Sequence, residues 1–102
     1  MEETIDIEKS IAGSRSVMGE DGAMREYFLF RSLGFDEEGK ERIIYSLFSR
    51  RYCPDGSDIT PGQGYIHDIS TDEDEAREIL GMIADNIVEP EQVRDVVEDL
   101  LC

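Results

Sequence analysis

Between Ala76 and Ile87 the apolar positions Ala76, Ile79, Leu80, Ile83 and Ile87 recur every three or four residues, with Arg77, Glu78 and Asp85 between them. That spacing predicts an amphipathic helix with one apolar stripe. Its start is marked by Ser70 with Glu73 three residues on, a capping-box pattern. Asp72, Glu73, Asp74 and Glu75 then crowd the first turn, where negative charge meets the positive end of the helix dipole. Gly81 counts against the helix by about 1 kcal/mol relative to alanine. Asn86 is the expected left-handed residue at its end. Pro90 restarts the chain, because its fixed φ and missing N–H suit a first helical position. The second helix carries Val93, Val96, Val97, Leu100 and Leu101 on one side and Glu91, Arg94, Asp95, Glu98 and Asp99 on the other. Its last turn is acidic and opposes the dipole, so packing rather than propensity is expected to hold it.

Ahead of the helices the period changes from 3.6 to 2. Ile5, Ile7 and Ile11 alternate with Asp6 and Glu8, which predicts a half-buried strand over 4–11, with Lys9 marking an edge. The stretch Ala12–Ala23 holds Gly13, Gly19 and Gly22 and shows no period, so it reads as a flexible connection. Arg25–Leu33 and Ile43–Tyr52 read as strands. The charged turn near Gly39 between them is short enough to make an antiparallel hairpin. Cys53–Gly64 reads as a loop and Tyr65–Ile69 as a last strand running into Ser70. Strands first and helices last is an α+β order. The expectation is a single domain over residues 1–102, an antiparallel sheet of three to four strands packed by two C-terminal helices.

If both helices cover one side of the sheet, the other side should be polar. It is not. Tyr27, Phe28, Leu29 and Phe30 are consecutive, and Ile44, Phe48 and Tyr52 alternate with Ile43, Tyr45 and Leu47. Tyr27, Phe28, Phe30, Tyr45, Phe48 and Tyr52 are therefore the candidate interaction surface, for a protein partner or a second copy. The competing reading has Ala12–Ala23 or the loop after Cys53 folded over that side, or the side buried by the twist of the sheet. Arg31, Arg42, Arg50 and Arg51 form a candidate anion patch. The alternative, favoured here, pairs them with helix carboxylates or leaves them solvated.

Charge sharpens the picture. The chain has 25 acidic and 10 basic residues, a net charge of −15. Between Asp68 and Asp99 twelve acids face two bases, whereas between Met24 and Tyr52 five acids face six bases. The helical pair is the acidic side and the hairpin is near neutral. Such a balance argues against nucleic-acid binding, which needs Lys and Arg against phosphates. It allows an acidic mimic of nucleic acid as one alternative function. No run is long and apolar enough to span a membrane, and Met1-Glu2-Glu3 does not resemble a signal peptide. A cytoplasmic location follows as the expectation.

Candidate chemistry is sparse. The two cysteines, Cys53 and Cys102, form no CxxC, and a thiol pair is preferred to a disulfide between them. No metal site or cofactor is expected. The glycines of Ala12–Ala23 match neither a dinucleotide nor a Walker fingerprint. Asp55 and Asp58 offer oxygen ligands but lack calcium-loop spacing. His67 and Asp68 are adjacent on a strand, point to opposite faces and cannot form a dyad. A carboxylate and histidine enzyme or ligand-binding domain built on Asp55, Asp58 and His67 is the alternative to a non-catalytic interaction or regulatory module.

Asp68-Ile69-Ser70-Thr71, the break Asn86-Ile87-Val88-Glu89-Pro90 and the ending Val96-Val97-Glu98-Asp99-Leu100-Leu101 resemble a family of short bacterial proteins classed as a domain of unknown function. Its members share an aromatic strand segment like Glu26-Tyr27-Phe28-Leu29. The resemblance covers Arg25–Leu101 and implies a shared fold, a β-hairpin followed by two C-terminal helices. It brings no activity, ligand or catalytic residue.

Overall fold

A computed structural model describes residues 9–54 and 62–101. Four strands form one antiparallel sheet in simple meander order: β1 Lys9–Met18, β2 Met24–Phe35, β3 Glu41–Tyr52 and β4 Gly62–Ser70. Helix α1, Glu73–Asp85, a single 3₁₀ turn, Pro90–Gln92, and helix α2, Val93–Leu101, follow. This is the α+β arrangement expected from the alternating then helical pattern. Both helices pack on one face of the sheet, burying Tyr27, Leu29, Tyr45, Leu47 and Ile66 beneath Ala76, Ile79, Leu80, Ile83, Val93 and Val97. The helix stripe read from the sequence is the buried one, except that Ala84 takes the place expected of Ile87. In α2, Val93 and Val97 are buried while Leu100 and Leu101 remain exposed at its end.

The largest departure lies near the start. Ala12–Ala23 is not a flexible connection: residues 12–18 belong to β1, and only 19–23 turn back into β2. Small side chains conceal this strand from periodicity. Gly13 is small because Leu80 of α1 lies close above it, and a Cβ there would stand 3.2 Å from the leucine Cδ2. Ser14 and Ser16 face the opposite side. The expected strand over 4–11 lies mostly outside the described residues, as do the aspartates at 55 and 58 and the cysteine at 102.

Caps and turns follow local chemistry. Gly39 takes a φ of 84° in the β2–β3 turn, a left-handed conformation that glycine adopts without a steric penalty. Asp36 Oδ1 accepts from the Glu38 and Lys40 amides there, both at 2.9 Å. The cap of α1 is Asp72 rather than Ser70: its side chain accepts from Asp74 N at 3.0 Å. The Ser70 hydroxyl instead accepts from Asp72 N at 2.9 Å and lies 2.7 Å from Glu75 Oε1. It positions the cap.

The end of α1 also differs from expectation. Asn86 has a φ of −95°, and the left-handed residue is Ile87, with a φ of 50°. Val88 N reaches Ile83 O at 3.1 Å and Ile87 N reaches Ala84 O at 3.0 Å, the two bonds of a Schellman ending. A β-branched residue pays a steric penalty of about 1–2 kcal/mol in that conformation, and Ile87 is 38 % exposed, so burial recovers only part of it. Ile87→Gly is therefore expected to raise stability by about 0.5–1 kcal/mol after glycine's extra chain entropy is subtracted. A higher urea midpoint at unchanged m-value checks this.

Candidate interaction surface

Alternation along β2 and β3 decides which aromatics face solvent. Residues paired across the hairpin share a face: Tyr27 with Ser49, Leu29 with Leu47 and Arg31 with Tyr45 on one side, Phe28 with Phe48, Phe30 with Ser46 and Met24 with Tyr52 on the other. The first set faces the helices, and all of it but Arg31 is buried. Tyr27 is fully buried and Tyr45 nearly so, which corrects the expectation that all six aromatics form one surface. Each of the two is anchored on the helical side by its hydroxyl. Tyr27 donates to Val88 O at 2.8 Å and Tyr45 to Glu73 Oε1 at 3.4 Å. Burial pushes the Tyr27 phenol up to about 12, with help from the nearby Glu89 charge. It stays a neutral donor.

Phe28, Phe30, Phe48 and Tyr52 remain on the far side, each half-buried. Phe28 stacks on Phe30 with centroids 6.3 Å apart and on Phe48 at 6.2 Å. The Arg50 guanidinium lies over Phe28 at 6.0 Å and over Tyr52 at 5.2 Å, distances at which a cation is attracted to the ring faces. Its Nε donates to Glu26 Oε1 at 2.6 Å, so the one acid and one base in this cluster neutralise each other.

Three residues not singled out for this surface extend it. Tyr65 of β4 pairs with Phe48 across the strands and is 45 % exposed. The Tyr65 hydroxyl and Ser46 Oγ each stand 3.2 Å from His67 Nδ1. The period-2 position of Tyr65 was legible in the sequence, but nothing local said that β4 joins β3 beside Phe48. Ile11 and Met18 of β1 add exposed apolar area at the far edge. Among the described residues the aromatic side of the sheet carries no covering element. Residues 12–23, expected as a possible cover, run in the sheet and turn at its edge.

The four arginines do not assemble into a patch. Arg31 and Arg51 point to the helix side, Arg42 and Arg50 to the aromatic side. Arg42 bonds Asp68 at 2.7 Å, and Arg51 bonds Glu89 and Glu91, each at 2.8 Å. Arg31 stands where its charge acts on Tyr45 and Glu73. Adjacent strand residues alternate in direction, which splits the Arg50–Arg51 pair.

The strongest ion cluster involves Arg25, which the sequence did not single out. Its side chain is only 6 % exposed and bridges Asp21 in the β1–β2 turn and Glu89 in the interhelical break, at 2.7 Å each. It also donates to Ala23 O at 3.0 Å. Hydrogen bonds from Arg25 hold both carboxyls below the ordinary range. Arg51 does the same for Glu91 and adds to the effect on Glu89. Every charged group in the cluster is matched, so the arrangement suits a structural clamp. A cleft beside it, about 390 Å³, is lined by Gly19, Glu20, Asp21, Arg25, Ile87 and Glu89.

No group of three or more metal-ligating side chains occurs among the described residues. No helix there is long and apolar enough to cross a membrane. The chain matches no family model, no curated protein and no solved structure.

Proposed function

We propose that this protein is a non-catalytic interaction or regulatory module that docks another protein surface on the aromatic side of its sheet. The observation that carries this reading is the contiguous cluster of Phe28, Phe30, Phe48, Tyr52 and Tyr65 opposite the helices. A two-layer α+β domain needs one face of its sheet for its core, and the helices already supply the second layer. Aromatic side chains on the remaining face add nothing to that core. They suit an interface, where aromatic residues are enriched and charge is depleted.

Charge placement supports the same reading. The acids of α1 and α2 are on the exposed sides of the helices, away from this face. Glu26 and Arg50 within the cluster cancel locally. A docking surface of this kind buries ring area without stranding an unpaired charge.

The test is Phe48→Asp, which sets a carboxylate in the middle of the cluster. Wild-type protein is expected to retain a protein ligand, in hydrogen exchange as protection of β2 and β3 side by side, that Phe48→Asp loses by about tenfold or more in affinity. Equal retention by wild type and a folded Phe48→Asp variant would remove this reading.

A further inference from the structure

We infer that the surface seated on this face is a second copy of the same chain, two sheets packed face to face with both helical layers outward. The inference rests on the interaction reading above and names its partner.

Electrostatics supply the first argument. Each copy carries a net charge of −15, so two copies repel over most approaches. The aromatic face is where two copies can meet with their acidic helices farthest apart. Its central charges, Glu26 and Arg50, are already joined at 2.6 Å, and Arg42 and Asp68 at its margin are joined at 2.7 Å. Neither face therefore presents a net charge to the other. A basic partner would instead be drawn to the exposed acids of the helices.

Area supplies the second argument. Four strands spaced about 4.8 Å apart make a face about 19 Å wide, and eight residues of strand add about 26 Å of length. That is about 500 Å² of projected area per copy, or about 1,000 Å² for the pair, the lower bound for a specific interface. The rings and exposed Ile11 and Met18 raise the accessible area above the projection. Stacked sheets lie about 10 Å apart with side chains interdigitating, and rows of phenylalanine beside the exposed Ser14 and Ser16 offer ridges next to gaps. A two-fold interface uses the same patch twice, so no second surface is required.

The mass distribution of purified protein, followed by sedimentation from about 1 to about 500 μM, tests this. The dimer fraction should rise with concentration. Because the copies are like-charged and the contact is apolar, raising salt from about 0.02 M to about 0.5 M should tighten the dimer several-fold by screening the repulsion. Two variants report on the face. Phe28→Asp should weaken the dimer about a hundredfold. Ser14→Glu should weaken it about tenfold, since Ser14 is exposed beside Phe28 and its replacement removes no packing. A double substitution at Leu100 and Leu101, exposed on the helical side, should leave it unchanged.

A wild-type protein that stays monomeric at about 500 μM in both salts overturns the inference. So does a dimer that weakens with salt, or one lost in the Leu100 and Leu101 variant but kept in Ser14→Glu. If the chain is monomeric and Phe48→Asp still loses a heterologous protein ligand, self-association falls and the interaction reading stands. If it is monomeric and Phe48→Asp changes nothing, both fall.

Discussion

Arg25→Met is expected to cost about 3 kcal/mol of stability. Removing one partner of a buried ion pair typically costs about 3–5 kcal/mol, because the remaining charge is stranded. Here the stranded groups are Asp21, 48 % exposed, and Glu89, 35 % exposed, and water reaches both. Arg51 still holds Glu89 at 2.8 Å. These facts place the loss at the low end of the range. Since a small domain has only about 5–15 kcal/mol in total, the urea midpoint should fall markedly. The position of Glu89 explains why the effect spreads. It sits in the break between the helices, so Arg25 and Arg51 together tie that break to β2 and β3. Arg25→Lys should recover part of the loss, because an ammonium cannot reproduce the forked contacts of a guanidinium.

The same cluster sets the acid response. Asp21, Glu89 and Glu91 titrate below the ordinary carboxylate range in the folded protein. The unfolded chain therefore takes up protons first as pH falls. Their contribution is fully present above about pH 4, the ordinary carboxyl value, and drains away as pH drops through the lowered values. Arg25→Met should flatten this acid limb. Urea midpoints at several pH values between neutral and strongly acid would check both the slope in wild type and its reduction in the variant. An equal slope in the two proteins would contradict the clamp.

Gly64→Ala is the second large effect, expected at about 3 kcal/mol or more. Gly64 of β4 lies directly beneath the 3₁₀ turn, and an added Cβ would stand 2.1 Å from the Pro90 carbonyl oxygen. Overpacking usually costs about 1–3 kcal/mol when side chains can adjust. The obstacle here is backbone, and it cannot rotate away. The turn would have to lift from the sheet, pulling Glu91 from Arg51, now joined at 2.8 Å, and loosening buried Pro90 and Val93. A substitution of equal size at Gly39 makes the contrast. Nothing lies within 4 Å of a Cβ there, and the cost comes from its positive φ alone. Thermal unfolding of the two variants should therefore differ, Gly64→Ala losing more. The proposed self-association should survive Gly39→Ala unchanged, since that turn is remote from the aromatic cluster.

The amino-acid sequence by itself determined the order of β2, β3, β4 and the two helices, the β2–β3 turn at Gly39 and the part of each helix stripe that is buried, Ala76, Ile79, Leu80 and Ile83 in α1 and Val93 and Val97 in α2. Each of these is local: a period, a cap or a turn residue carries it. Alternation also showed that both sides of the hairpin are bulky. It could not say which side the helices would take, because Tyr27 and Phe28 look alike to a period of 2. Tertiary packing decided that Tyr27, Leu29, Tyr45 and Leu47 go inward, leaving Phe28, Phe30, Phe48 and Tyr52 with Tyr65 outward. It also revealed β1, whose Gly13 is small on account of Leu80 more than sixty residues away. It set Ile87 rather than Asn86 in the left-handed position, where Val88 could reach the core and receive the Tyr27 hydroxyl. Lastly it paired Arg25 with Glu89 across 64 residues. Contacts between distant segments depend on how the layers stack, and no window along the chain contains both partners.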